Sequence, residues 1–232
     1  MNVAATPEAY LAPGRFIDSE HPAIIARTAG LLRESASQLE NALALYYWVR
    51  DSIRYNPYTA ALDPGSFLAS ATLEAGEGWC VPKALLLSAL CRAAGIPARV
   101  GFADVRNHLS TARMRASMQT DVYYFHGYSV LYLEGRWVKA TPAFNIELCD
   151  KFGLRPLEFN GRVDSLYHPF DRAGNRHMEY LNDRGEYPDL PFEELVAVFR
   201  RHYPNMFAEA AAGTDRPERA SWDADVARET GS

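Results

Sequence analysis

The run from Gly78 to Arg99, Gly-Trp-Cys-Val-Pro-Lys-Ala-Leu-Leu-Leu-Ser-Ala-Leu-Cys-Arg-Ala-Ala-Gly-Ile-Pro-Ala-Arg, limits the fold of this chain more than any other stretch. From Val81 to Ala94 it is apolar on almost every face, with only Lys83, Ser88 and Arg92 interrupting, so the spacing predicts a helix enclosed on all sides by a domain. Gly95 can take the positive φ that ends a helix, and Pro97 cannot extend it. At the other end Gly76 and Gly78 bracket a turn, which places the thiol of Cys80 at the first helical residues. Unpaired backbone N–H groups and the helix dipole favour an anion there, so a lowered thiol pKa and a nucleophilic role are expected. A small buried cysteine also serves as plain core packing. The reading therefore depends on finding a partner base.

His126 is that candidate. Asp121 to Leu133 and Arg136 to Pro142 are β-type runs separated by Glu134-Gly135, the signature of a hairpin with a two-residue turn. In that register His126 faces Ala143, Tyr128 faces Thr141 and Tyr132 faces Trp137. Diagonal neighbours share a face, so Thr141 and Asn145 flank the imidazole, on condition that no bulge shifts the pairing. His21, His108, His168, His177 and His202 have no comparable setting. No His-x-x-x-His or Cys-x-x-Cys spacing occurs, so neither a metal site nor a cofactor is expected.

The rest of the chain reads as a single domain over residues 21–205, after an irregular lead-in of residues 1–20 and before a mobile polar tail of residues 206–232. Helices are expected at Ala23 to Arg33 and Gln38 to Ile53, and a short one from Ser66, as cap, to Ala75. Ile96 to Asp104 reads as a strand and Val105 to Gln119 as an arginine-rich loop. Glu147 to Phe152 reads as a helical turn, Glu179 to Leu181 as an edge strand and Phe192 to His202 as a helix. The segment after Asn145 is expected to pack over the domain and cover a cleft. A net charge of -5 argues against nucleic acid as a partner. The strongly apolar run Ala84 to Leu90 is too short for a membrane span, and the N-terminus shows no secretory pattern. Three cysteines form an odd set, and Cys80 and Cys91 would stand about 16 Å apart along one helix. A reducing, cytoplasmic setting is expected; oligomeric state is left open.

Gly78-Trp79-Cys80 opening an apolar helix, the ending Ala94-Gly95-Ile96-Pro97-Ala98-Arg99, the strand His126-Gly127-Tyr128-Ser129-Val130 and the hairpin Glu134-Gly135-Arg136-Trp137-Val138 together resemble the transglutaminase-like superfamily. The resemblance runs from about Leu43 to Asn145, with its telling motifs between Leu68 and Pro142. It implies a papain-like α+β fold, with the cysteine on a helix packed against an antiparallel sheet or small barrel that supplies the histidine and an acidic partner. It also implies chemistry through a thioester, as in the superfamily's protein crosslinkers, peptidases and peptide-N-glycan amidases. One departure stands out: the run Val138-Lys139-Ala140-Thr141-Pro142 has threonine where the family places aspartate. Threonine can accept a hydrogen bond from the imidazole but cannot offset its charge. Asn145 could orient the ring instead, and Asp164 is a more remote candidate.

Two functions remain open at this point. In one, Cys80 attacks an amide or peptide carbonyl, His126 carries the proton, the Cys80 N–H and a Trp79 or Asn56 side chain meet the oxyanion, and Tyr55, Asn56 and Trp79 wall the substrate pocket. The acyl group then passes to water in a hydrolase, or to a lysine amine in a crosslinker. In the other, a degenerate domain of the same fold grips a peptide or protein without turnover.

Overall fold

The computed structural model describes residues 6–108, 110–211 and 222–231. At its centre lies α4 (Cys80–Ala93), buried at every residue from Cys80 to Arg92. The three polar interruptions in its sequence each find a backbone carbonyl. Lys83 Nζ donates to the carbonyls of Arg50 (2.9 Å) and Ile53, at the C-terminal end of α2 (Gln38–Ser52). Ser88 Oγ donates to Arg99 (3.4 Å), and Arg92 Nε to Ala98 (2.9 Å), with its other nitrogens reaching Ala12 and Pro188. Buried polar groups left without such partners would be costly, so these bonds also fix how the helix sits. Gly95, at φ 72°, ends the helix as expected, and Ile96 N–H returns to the Cys91 carbonyl at 2.8 Å.

The helix packs on an antiparallel sheet of order β5-β4-β3-β6, made of β3 (Ala98–Asn107), β4 (Val122–Leu133), β5 (Arg136–Ala140) and β6 (Met178–Tyr187). This is the α+β arrangement expected, a cysteine helix on a curled sheet. Ser129 Oγ donates to the Ala84 carbonyl at 2.8 Å, clasping β4 to α4. At Gly127 the two backbones nearly touch: a Cβ there would lie 2.9 Å from Val81 Cα. α1 (Pro22–Leu31) and α3 (Ala69–Ala75) pack beside α4, and β1 (Arg54–Tyr55) pairs in parallel with β2 (Glu77–Gly78), tethering the turn before Cys80.

The hairpin forms as its turn dictates. Glu134 and Gly135 both have positive φ, 48° and 82°, and the pairs run from Leu133 opposite Arg136 to Ser129 opposite Ala140. The ladder then stops. Thr141 N–H turns to the Ser165 carbonyl at 2.9 Å, so the expected pairing of His126 with Ala143 is not made. The irregularity lies instead between β3 and β4, where the register shifts between Ala103, opposite His126, and Val105, opposite Tyr123. Fully buried Phe125 takes φ 56° there, and its N–H is held by Asp104 Oδ1 at 3.2 Å. Arg184 pairs with Asp104 at 2.6 Å and lies over the Phe125 ring at 4.5 Å. A non-glycine residue in this conformation persists only when its surroundings over-determine it. The bulge therefore sets the direction of His126.

Several boundaries differ from expectation. Ser66 caps no helix; a 3-10 turn, Pro64–Phe67, is capped by Asp63, and α3 follows without a side-chain cap. The arginine-rich stretch is not all loop: β3 continues to Asn107, and α5 (Ala112–Met118) forms with Thr111 as cap and Met114 and Met118, four apart, as its buried face. β6 extends far beyond Glu179 to Leu181, though it is an edge strand; its exposed Asn182 and Asp183 hide the strand pattern. α6 (Ile146–Lys151) and α7 (Phe192–His202) fall where expected, and α8 (Pro204–Ala211) follows. The tail is also more ordered than its composition implies. α9 (Trp222–Thr230) buries Trp222 and Val226, one turn apart, against the core, and Asp225 accepts from the Tyr58 hydroxyl at 2.8 Å. Residues 212–221 of that tail lie outside the described residues. Among the described residues, no helix is long and apolar enough to cross a membrane.

Candidate active site

Cys80 is the first residue of α4 and His126 follows the β4 bulge; each is only 4% exposed. Both side chains line one cavity of about 30 Å³. Its walls are apolar and aromatic: Tyr55 and Trp79 beside the thiol, Met114 and Met118 from α5, Tyr123 and Tyr124 from β4, and Phe199, Tyr203 and Met206 from α7 and α8. The Tyr203 hydroxyl locks this wall to the sheet, donating to the Val122 carbonyl at 2.9 Å and accepting from Tyr124 N–H at 2.7 Å. Among the described residues no hydrogen bond joins the thiol and the imidazole.

The electrostatics reverse the expectation of a resting thiolate. Burial pushes the Cys80 thiol up to about 11, although the backbone N–H groups of Gly127, Val81 and Cys80 itself pull the other way. Burial, and next the nearby His177, hold the His126 ring down to about 4. Enclosure penalises the charged form of each group, and here it outweighs the helix terminus. The resting pair is therefore neutral thiol and neutral imidazole.

His126 also lines a second cavity, of about 20 Å³, on a wall it shares with Thr141 and His177. Thr141 thus does come to the imidazole's cavity, and its Oγ1 is buried without a hydrogen-bond partner. Asn145 does not take the orienting role: its Oδ1 accepts from Tyr55 N–H at 3.2 Å and its Nδ2 donates to Glu147 at 3.3 Å. Asp164 accepts from Lys139 N–H at 2.9 Å and lines neither cavity. Of the expected pocket residues, Tyr55 and Trp79 line the cavity, whereas Asn56 caps the turn at Tyr58 (3.0 Å) and donates to Glu77 (3.2 Å), which removes it from the pocket and from the oxyanion. The sequence reading missed the walls from α5, α7 and α8 and passed over His177. The Met114/Met118 pair and the alternation of apolar and charged residues in Phe192 to His202 are the signals that carry those walls. Among the described residues no cluster of three metal-ligating side chains occurs.

A cysteine at the head of a buried helix, with a histidine presented by the antiparallel strand packed on it, defines the papain-like class of cysteine folds. The chain belongs to the transglutaminase-like superfamily, whose sequence model matches residues 25–142, a span that holds Cys80, His126 and Thr141 but not His177. Membership supports a cysteine-type enzyme in broad terms. Among solved structures the chain is similar to one described as a "Putative Cysteine Protease" from Cytophaga hutchinsonii, at 18% identity and a TM-score of 0.47, covering 80% of this chain and 55% of that one. It is also similar to a "Putative Protease" from Parabacteroides distasonis, at 16% identity and a TM-score of 0.38, covering 58% of this chain and 26% of that one. The chain thus spans about half of the first relative's length and a quarter of the second's. No curated protein matches it.

Proposed function

We propose that this protein is a cysteine-dependent acyl-transfer enzyme acting on amide or peptide bonds, with Cys80 as nucleophile and His126 as general base and acid. The observation that carries the reading is the shared, enclosed cavity of these two side chains, walled by apolar groups. The neutral resting pair fits this chemistry. As Sγ forms its bond to the carbonyl carbon, the thiol proton passes to His126, and charge develops only with the substrate in place. The backbone N–H of Cys80, at the helix head, faces the oxyanion. Collapse of that intermediate breaks the C–N bond, and the leaving amine takes the proton from His126. The thioester is then released by water or by a second amine.

A second reading, a peptide-binding module without turnover, draws on the raised thiol and on threonine in place of a carboxylate. Incubation with a panel of peptide and carboxamide substrates, followed by intact-mass detection of an acyl adduct, separates the two. The enzyme reading expects an adduct on Cys80, absent in Cys80→Ala and formed roughly 10²–10⁴-fold more slowly in His126→Ala. Peptide binding of equal strength in wild type and Cys80→Ala, with no adduct or product at any pH, would establish the module instead.

A further inference from the structure

Three residues that line the second cavity carry four buried polar atoms that make no hydrogen bond: His126 Nε2, Thr141 Oγ1, and both ring nitrogens of His177. All three residues are more than nine-tenths buried. The backbone of His177 is satisfied, its N–H by the Pro169 carbonyl at 2.8 Å and its own carbonyl by His108 N–H at 2.9 Å, so only the ring is left wanting. The backbone of His168 lies close enough to bear on the charge of that ring but makes no hydrogen bond of standard geometry with it. Two other polar lining groups are engaged: His168 Nε2 contacts the Pro156 carbonyl at 3.2 Å, and Cys149 Sγ faces the Phe144 carbonyl at 3.9 Å. Buried polar atoms are seldom left unpaired, and several converging on one small space point to a shared partner there.

Resting on the enzyme reading above, we propose that the cavity holds one internal water molecule that joins His126 Nε2 to Thr141 Oγ1 and to His177, and that His177 is thereby the positioning residue of the His126 imidazole. The space, about 20 Å³, is large enough for one water. Two imidazoles and a hydroxyl give the water three partners, within the two to four such a molecule needs. They fall short of a zinc ligand set, and no metal-ligating cluster of three exists among the described residues. In this arrangement His126 Nε2–H donates to the water oxygen, and the water's protons go to one His177 nitrogen and to Thr141 Oγ1. This fixes the tautomer with the proton on Nε2, leaving Nδ1 free to receive the thiol proton. When the ring becomes imidazolium, the water and His177 take up part of the polarisation that a carboxylate would otherwise meet.

The test uses the full chain with nitrogen-15-labelled histidine and long-range proton–nitrogen correlation spectra at neutral pH. The expected result is a single His126 tautomer, with a slowly exchanging Nε2 proton, in wild type. Thr141→Val and His177→Phe should each give mixed tautomers and fast exchange, and His177→Gln, which can still bond the water, should restore the wild-type signal. In acyl transfer, His177→Phe should lower kcat about tenfold with KM unchanged, the scale of one hydrogen bond to a charged group. An unchanged His126 signal in both Thr141→Val and His177→Phe overturns the proposal. Should either variant fail to fold, a high-resolution crystal structure of the wild type decides: a water within reach of all three groups supports it, and a dry cavity overturns it. The spectra do not depend on turnover, so absence of acyl transfer with an intact tautomer response would sink the enzyme reading and leave the water bridge standing.

Discussion

One cavity lined by His126 is a chamber of aromatic and methionine side chains holding a thiol; the other, smaller, is lined by a hydroxyl and a second imidazole that make no hydrogen bond to a protein group. The first is built by elements that converge from far apart in the chain: α4, α5, α7, α8 and the turn after β1. The second is built where β5 ends and the chain returns to enter β6. The apolar chamber surrounds the thiol but offers few groups to direct a ring. The polar chamber offers hydrogen-bonding groups that can direct one. On the proposed reading, nucleophile and orientation are divided between the two cavities that His126 lines, and variants confined to one cavity should leave the other's signature intact.

The largest effect is expected where the two backbones meet. Gly127 lets β4 approach the head of α4, and a Cβ there would lie 2.9 Å from Val81 Cα and 3.3 Å from Val81 N, backbone atoms that cannot rotate away. Gly127→Ala must push strand from helix, and with them His126 from Cys80. The expected cost is about 1–3 kcal/mol of stability. Acyl transfer should fall by about 10²-fold, as a misplacement near 1 Å implies. Urea unfolding and adduct formation measured on the same preparation check this. Loss of stability with full acylation would show that the contact is structural only.

The cysteine helix, its glycine stop and the hairpin register are legible in the sequence because each rests on a local rule: apolar periodicity, a positive-φ residue, two turn residues. The direction of His126 is not, because the bulge depends on Asp104 and Arg184, which meet only in the folded sheet. The same is true of the thiol. Helix-terminus reasoning from Cys80 alone predicts a lowered pKa, whereas enclosure by α5, α7 and α8 decides the opposite sign. His177 lies outside the matched family span and is brought to His126 by β6, a strand whose polar half conceals it. Trp222 and Val226 are lost in a polar tail when composition alone is read.

A middle-sized effect concerns pH and the polar chamber. His126 and His177 are both held near 4, against an ordinary 6.5, chiefly by burial. Between those values the unfolded chain binds more protons than the folded one, so stability rises with pH there. This contribution is fully present above pH 6.5 and is lost as pH falls through 4. It amounts to up to about 3 kcal/mol for each ring. His177→Phe removes one of the two and should roughly halve the acid loss, read as urea midpoints at pH 7, 5 and 4. An acid limb of unchanged depth would mean that His177 keeps its proton equilibrium in the folded state, contrary to a closed polar chamber.

The smallest effect should come from the wall of the other chamber. Met206, half-buried on α8, lines the Cys80 cavity, so Met206→Ala trims cover over the thiol without touching either reacting group. Truncating a half-buried methionine costs about 1 kcal/mol or less, below the usual range for fully buried ones. Iodoacetamide should then alkylate Cys80 a few-fold faster at pH 7, because local opening, and not global unfolding, limits access to an enclosed thiol. Cys91, buried within α4 and with its thiol also pushed up by burial, serves as the internal control and should stay unreacted in both proteins. Equal gains at Cys80 and Cys91 would indicate general loosening. No gain at Cys80 would place its cover on α5, to be tested with Met114→Ala. A gain at Cys80 alone, with the His126 tautomer unmoved, would show that the chamber serving the nucleophile can be opened while the one serving the imidazole stays shut.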